Sequence, residues 1–289
     1  MRSPTHPPRR IAIGIHPDVP GTDHTAEEIV AFFETYQVSP VICDTLYNET
    51  LQRCIQMGEF DLLIAMGGDG TMLRAGRLCA PHHLPILGIN LGHFGFLMEV
   101  DRSNWREVLP QLMDGTYMIE DRLMLHSELW RGDQMLGDWE VLNEVVVSRG
   151  LMVRPIRLQA EVDGYLLTNY VADGLIVATP TGSTAYALAV QGPVLSPELR
   201  NILVAPVAPH LSVDRTIVLS EKSTVQVTVH TQFDAVLSAD GRKPIPMNDG
   251  DVLKVEASKN EASFIRLRDP GYFYRNLTRY LEHNPSAGV

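Results

Sequence analysis

Gly67-Gly68-Asp69-Gly70-Thr71 follows the apolar run Phe60-Asp61-Leu62-Leu63-Ile64-Ala65-Met66 and precedes Met72-Leu73-Arg74-Ala75. This order predicts a buried strand ending at Met66, three glycines around one carboxylate, and a helix entered at Thr71. Gly67, Gly68, Gly70 and Thr71 then form a phosphate loop, because bare backbone N–H groups and a helix N-terminus favour an anion. Asp69 repels a phosphate, so it must serve otherwise, by taking a proton from an attacking hydroxyl or by holding a metal ion. Phosphoryl transfer is the first hypothesis. The plainer alternative is a tight turn, for which Asp-Gly is a common dipeptide. The position between a strand end and a helix start favours the phosphate loop. No Lys follows the last glycine, so this is not a Walker A loop, and it does not have the dinucleotide GxGxxG spacing.

Around this loop, residues 10–100 alternate between strand and helix patterns. Strands are expected at 11–15, at 41–43, up to Met66, and at 85–90. Thr25 with Glu28 three residues on reads as a helix cap for 25–33. Such alternation predicts a Rossmann-like α/β unit, a parallel sheet with its ligands at the carboxyl ends of the strands. From about residue 120 short β patterns dominate: 123–130, 139–148, 156–162, 165–171, 174–178, 216–219, 223–230, 235–239 and 251–257. Asp163-Gly164 and Asp240-Gly241 read as hairpin or tight turns. This region is expected to be an antiparallel, sandwich-like all-β domain, interrupted by one helix starting near Thr181-Gly182-Ser183-Thr184. The segment 272–281 reads as a helix returning to the first domain. The expected organisation is a disordered tail at 1–9, an α/β domain at 10–118 plus 265–289, and a β-rich domain at 119–264.

The chain has 289 residues, is 45% hydrophobic and 20% charged, and carries a formal net charge of −11. That is the composition of a globular protein, and no apolar run is long enough to span a bilayer. The acidic balance argues against nucleic acid or an anionic membrane as partner. It also means that polyphosphate ligands need local N–H groups and a divalent cation. The three cysteines, Cys43, Cys54 and Cys79, are separated and odd in number. They suggest neither a disulfide framework nor a thiolate metal site, and they fit a reducing cytoplasm.

Three further motifs stand out. Leu91-Gly92-His93-Phe94-Gly95-Phe96-Leu97 is either a loop that approaches a ligand closely or a strand-to-loop transition with core aromatics. His93 alone reads as a solvated loop residue. Asn143-Glu144 interrupts the apolar run 141–147. Neighbours on a strand face opposite sides, so one of them is expected to be buried and to need partners. Ribose hydroxyls and an adenine edge would serve, and a bulge at a sheet edge is the alternative. Asp173-Gly174 through Tyr186 runs from a strand into a Thr/Gly/Ser-rich turn. Its hydroxyls suggest a second anion or sugar site in preference to simple helix capping. Ser183 lacks the G-x-S-x-G context of a hydrolase nucleophile. Pro206-Val207-Ala208-Pro209-His210 reads as a Pro-rich connection, or as a loop lining a ligand.

In this order the four motifs resemble the NAD kinase family over residues 10–280. The GGDGT loop is shared with diacylglycerol and sphingosine kinases and phosphofructokinases, whereas the other three motifs are narrower. The resemblance implies transfer of a phosphoryl group from ATP, or from polyphosphate, to the 2′-hydroxyl of the adenosine ribose of NAD. It implies a divalent cation such as Mg²⁺, for which no motif fixes protein ligands, and a homodimer or homotetramer. It makes Asp69 the catalytic carboxylate, with Gly70 beside the nucleotide and Phe94 and Gly95 lining its site. Asn143 and Glu144 would hold the ribose, and Asp173 would read the nucleotide. Thr184, Ala185 and Tyr186 would form the segment packing on adenine, and Thr181, Ala187, Leu188, Ala189, Ala208, Arg154, Val171 and Arg242 would belong to the NAD site. Val171 stands where many members carry a basic residue, a charge that Arg154 would have to replace. Leu211-Ser212-Val213 and Arg279-Tyr280-Leu281-Glu282 depart from the family pattern. A lipid kinase would need a membrane-facing surface that the charge disfavours. A pyridine-nucleotide sensor would not require Asp69.

Overall fold

The computed structural model describes residues 1–289 except 5, 17, 18, 20, 44, 93, 94, 211, 212, 268–270, 276 and 278–289. The chain forms two compact units: residues 1–122 with 261–289, and residues 123–260. It passes from one to the other inside the strands Met118–Arg131 and Val252–Arg266.

In the first unit, β1 (Ile11–Ile15), β2 (Val41–Cys43), β3 (Leu62–Gly67) and β4 (Ile86–Asn90) pair in parallel in the order β2-β1-β3-β4. The two-residue β5 (Val100–Asp101) joins the edge of β4 at its carboxyl end, and Phe264 pairs with Ile86 beside it. β1, β3 and β4 are buried along their whole length. Such uninterrupted apolar strands belong to a parallel sheet covered on both faces. Helix α1 (Thr22–Glu34) puts Ala26, Ile29 and Phe33 into this core. It begins three residues before the expected Thr25. Gly21 occupies the cap in a left-handed conformation, and the Thr25 hydroxyl donates back to the Gly21 carbonyl. Helix α2 (Glu49–Gln56) is capped by the Asn48 side chain, which accepts from Thr50 and Leu51 N–H. Helix α3 (Asp69–Cys79) follows β3 directly. Residues 1–9 are not a disordered tail in the described part. Arg2 bridges to Ile119 by two backbone hydrogen bonds and ion-pairs with Asp121 at 3.0 Å. Residues 272–275 are helical and belong to the first unit, whereas the expected helix beyond 277 lies outside the described residues.

The second unit contains β6 (Met118–Arg131, shared with the first), β7 (Gln134–Val141), β8 (Glu144–Arg149), β9 (Ile156–Val162), β10 (Tyr165–Ala172) and β11 (Gly174–Ala178). β12 (Asn201–Val207), β13 (Ile217–Ser220), β14 (Val225–His230), β15 (Ala235–Ala239), β16 (Ile245–Met247) and β17 (Val252–Arg266, also shared) complete it. One layer runs β10-β9-β14-β17, with β6 joined to β17 and β7, and the other runs β13-β12-β11-β8-β15-β16. Side chains alternate on β11. Leu175 and Val177 enter the core between the layers, while Ile176 and Ala178 pack beneath Ala187, Val190 and Leu195. The second layer is thus covered on both faces.

Two local features depart from expectation. The expected strand 139–148 is two strands, β7 and β8, broken at Leu142 and Asn143. Residues 201–207, expected in part as a Pro-rich connection, are the buried strand β12. Pro206 fits there because Val207 already turns its carbonyl toward Asp173 on the β11 side. The N–H that Pro206 lacks would face β13, whose pairing has ended at Val204. The Asp163-Gly164 hairpin is as expected, with both residues at positive φ (54° and 82°).

At the end of β3, a Cβ on Gly67 would overlap the Thr71 hydroxyl one turn into α3. Gly67→Ala should therefore lower unfolding free energy by about 1–3 kcal/mol through local overpacking, as urea denaturation of the two proteins would show.

Candidate functional site

Each unit brings part of the predicted site together. In the first, Gly68 is extended (φ −127°, ψ −170°) and caps α3. The Thr71 and Met72 N–H groups both donate to the Gly68 carbonyl, at 2.9 and 3.2 Å. The first helical turn therefore closes on Gly68, and the helix starts at Asp69 rather than Thr71. Asp69 does not point along its loop. Its two carboxylate oxygens accept from the N–H groups of Phe96 at 2.9 Å and Leu97 at 3.1 Å. A Cβ on Gly95 would overlap that carboxylate, so the backbone can come this close only at glycine. The Leu91–Leu97 segment approaches Asp69 of the same unit through the Phe96 and Leu97 N–H groups, and the Leu97 side chain is buried. His93 and Phe94 lie outside the described residues.

Burial pushes the Asp69 carboxyl above its ordinary pKa, against the pull of the two N–H groups and of the Arg122 and Arg266 charges. Desolvation disfavours the ionised form, and a carboxylate of raised pKa is a better proton acceptor. A cavity of about 510 Å³ opens beside the loop, lined by His16, Leu46, Tyr47, Gly68, Gly70 and Arg74 among others. The Arg74 guanidinium lies over the Tyr47 ring, 3.0 Å from its centroid. This cavity joins exposed loop backbone, one cation and one aromatic face, a set suited to a phosphorylated ligand.

In the second unit, Asn143 sits between β7 and β8, not within a strand. The cause is Asp240, read from the sequence only as a turn residue. Its carboxylate accepts from Leu142 N–H at 3.0 Å, Asn143 N–H at 2.8 Å and Glu144 N–H at 3.3 Å. That takes the backbone out of the ladder for two residues. Asp240 and Gly241 are both at positive φ, the one signal the Asp-Gly pair gave. Glu144 is buried at the start of β8, and its carboxyl is pushed up to about 8. Burial is the larger cause and the Asp240 charge the second, while the Tyr186 N–H opposes them. Glu144 Oε2 is fully buried and makes no hydrogen bond among the described residues. A buried carboxyl oxygen without a partner, beside a second carboxylate, makes Glu144 a candidate contact for a ligand donor.

The Thr/Ser-rich segment is built differently from its expectation. Thr181–Thr184 is one 3₁₀ turn and Tyr186–Ala189 a separate short helix, broken at Ala185 (φ −101°, ψ −124°). The hydroxyls are spent inside the protein. Thr179 Oγ1 donates to Leu142 O at 2.6 Å and accepts from Gly182 N–H. Ser183 Oγ donates to Pro180 O at 2.6 Å and accepts from Leu195 N–H. Thr184 Oγ1 donates to Thr181 O at 3.1 Å. The Thr179 hydroxyl ties the turn to Leu142, and the Thr179 N–H donates to the Asn143 carbonyl. A Cβ on Gly182 would overlap the Asn143 backbone. Asn143, Glu144, the 181–186 turn and Asp240 are thereby brought together.

Other predicted residues are more scattered. Ala187 is fully buried beneath the second layer, so it serves the core. Tyr186 is exposed, as is Ala189, and Leu188 is half-buried. Asp173 pairs with Arg149 at 3.2 Å, a cation the sequence reading missed. Val171 is half-buried on β10 and its carbonyl accepts from His210 N–H at 2.7 Å. Ala208 is held at φ 45°, a left-handed conformation uncommon outside glycine and frequent at functional sites. Arg154 and Arg242 are exposed, and Arg154 lies over the Phe233 ring. Leu211 and Ser212 lie outside the described residues, as does the stretch 279–282. Among the described residues no group of three or more His, Cys, Asp or Glu side chains is placed to hold a metal ion, and no helix is long and apolar enough to cross a membrane.

Two family models match the chain: the ATP-NAD kinase N-terminal domain at residues 13–117 and the ATP-NAD kinase C-terminal domain at residues 142–267. The NAD kinase of Moorella thermoacetica is 37% identical over 296 residues, covering 97% of this chain and 94% of that one. The chain belongs to the NAD kinase family. The NAD kinase of Chloroflexus aurantiacus is 40% identical over 228 residues, 79% of this chain and 83% of its own. Among solved structures, an NAD kinase from Archaeoglobus fulgidus in complex with ATP superposes with a TM-score of 0.75 at 26% identity, covering 95% of this chain and 99% of that one. Yeast NADH kinase complexed with NADH gives 0.82 at 23% identity, covering 97% and 89%, a likeness of fold. The family's activity, NAD phosphorylation, is this chain's activity.

The native Glu144 carboxyl, at about 8, keeps its proton between pH 4.5 and 8, where the unfolded chain has lost it. The folded state binds more protons there, so this group lowers stability as pH rises through that window. Glu144→Gln should remove its share of the slope and make the ligand-free protein more stable at pH 8 than the parent, with little difference at pH 4.5. Urea unfolding at both pH values checks this.

Proposed function

We propose that the chain transfers the γ-phosphoryl group of ATP to the 2′-hydroxyl of the adenosine ribose of NAD, with Asp69 as the general base. The observation that carries the assignment is the Asp69 carboxyl. It is oriented by two backbone N–H groups, raised in pKa, and set at the first position of a helix behind a glycine loop. Asp69 takes the proton as the ribose oxygen attacks phosphorus. The bond from γ-phosphorus to its bridging oxygen breaks, and ADP leaves with the electron pair. Gly68 and Gly70 offer close backbone approach to phosphates. The unpartnered Glu144 Oε2 and the neighbouring Asn143 are the groups proposed to hold the ribose. ATP as donor is supported by the archaeal relative whose structure contains it.

A divalent cation such as Mg²⁺ is proposed to be carried mainly by phosphate oxygens and water, since no motif in the sequence fixes protein ligands for it. Mg²⁺ supplies neutralisation of the phosphates, which a chain of net charge −11 does not provide. A cytoplasmic homodimer or homotetramer is proposed from the family resemblance alone.

With purified protein, NAD, ATP and Mg²⁺, NADP should form and be detectable with an NADP-specific dehydrogenase. Chelation by EDTA should stop turnover, and added Mg²⁺ should restore it. Asp69→Asn should lower kcat by about 10²–10⁴, the usual worth of general-base help, with NAD affinity by calorimetry within a few-fold of the parent. Undiminished turnover in that variant removes the base assignment.

A further inference from the structure

Behind Asp69 lies a set of buried charges that the proposed chemistry does not use. Arg266, at the last position of β17, is 1% exposed. Its Nη1 donates to Leu97 O at 3.4 Å and to Glu99 Oε2 at 3.1 Å. Its Nε and Nη2 donate to Glu120 Oε1 at 3.3 and 3.2 Å. Glu99 Oε1 accepts from Leu267 N–H at 2.9 Å, and Arg122 Nε donates to Glu120 at 2.6 Å. Tyr272 completes the set, accepting from Arg122 Nη2 at 3.0 Å and donating to Glu120. These side chains are almost fully buried, and isolated charges at such depth are strongly disfavoured. The pairing holds Glu120 down at about 2 and keeps Arg266 charged.

The arrangement reaches the reacting carboxylate in two hydrogen bonds. Arg266 grips the carbonyl of Leu97 and the side chain of Glu99. The N–H of Leu97, and that of Phe96 before it, are the two donors on Asp69. Replacing buried ion pairs by well-packed apolar side chains is often neutral or stabilising, so stability alone does not explain this cluster. A guanidinium in this place supplies two things they would not: a fixed position for the 96–99 backbone, and a positive charge near Asp69.

We infer that Arg266 is a positioning residue for phosphoryl transfer, holding the 96–99 segment so that its two N–H groups fix the Asp69 carboxylate. The inference rests on the reading of Asp69 as the base. It predicts two separable effects. Loss of the grip misplaces Asp69 and lowers kcat with little change in the KM for NAD, since Arg266 itself touches no substrate. Loss of the charge leaves Asp69 harder to ionise, so the acid limb of the kcat/KM profile moves to higher pH.

The test compares Arg266→Lys, Arg266→Met and Glu99→Gln with the parent and with Asp69→Asn, after circular dichroism and thermal melting have shown which variants fold. Arg266→Met is expected to lose about 10²-fold in kcat, the scale of a misplacement near 1 Å, and to shift the acid limb upward. Arg266→Lys keeps the charge and loses the two-armed grip. It should leave the acid limb in place and recover only part of kcat. If Arg266→Met does not fold, Glu99→Gln takes its place. That variant removes one arm and a buried negative charge, and should lower kcat while leaving the limb at or below its parental pH. Parental kcat and pH profiles in the folded Arg266 and Glu99 variants, beside an inactive Asp69→Asn, would overturn the inference while leaving Asp69 as base. An active Asp69→Asn overturns the base reading and the inference with it.

Discussion

Two backbone N–H groups on one carboxylate set the terms for the first unit. Asp69 sits at the start of a helix after the two glycines Gly67 and Gly68, where an unrestrained carboxylate would turn to the helix's own N–H groups or to solvent. Phe96 and Leu97 prevent this by donating to its two oxygens. Much else in the unit follows from that geometry. Gly95 has no side chain because the carboxylate occupies its Cβ position, and Gly67 has none because Thr71 does. β3 and β4 lie side by side in parallel, which brings the loop after each to the same end of the sheet. The two loops can therefore meet at Asp69.

The second unit solves a related problem with a different carboxylate. Asp240 gathers three consecutive N–H groups at 142–144 and so interrupts what the apolar pattern reads as one strand. The interruption is what makes Glu144 unusual. Its chain direction is set by a neighbouring negative charge, and its own carboxyl is left buried beside that charge. Both units thus use an aspartate to shape backbone around an acid. In the first the aspartate is itself held by two N–H groups and is the base proposed above, and in the second it holds three N–H groups beside a neighbouring acid.

Much of this was legible in the sequence, for identifiable reasons. The parallel unit was readable because β1, β3 and β4 are short apolar runs separated by helical patterns. The Asp163-Gly164 hairpin was readable because both positions demand positive φ. What was hidden depends on partners distant in sequence. The polar pair Asn143-Glu144 announces an irregularity in the strand but not its cause, since the carboxylate that takes the backbone out of the ladder is 98 positions from Leu142. The internal bonds of the hydroxyls at 179–184 were not legible, because a buried 3₁₀ turn and a binding surface draw on the same residue types. β12 was obscured by Pro206, which is tolerated only because the strand has already outrun its neighbour on that side. Arg266 gave no signal at all, since the expected strand ended at 257 and the observed β17 runs on to Arg266.

The first unit is built from two stretches of chain, 1–122 and 261–289, and the second from one. During synthesis the second unit can therefore be completed while the first is still unfinished. Ile265 fills the core of the first unit, Phe264 pairs beside β4, and Arg266 grips Leu97, yet all three emerge after the whole of 123–260. Asp69 is translated before the second unit, and Arg266 after it. A nascent chain stalled before residue 261 carries every residue of the second unit and the GGDGT loop itself, and still lacks the arginine that donates to the Leu97 carbonyl.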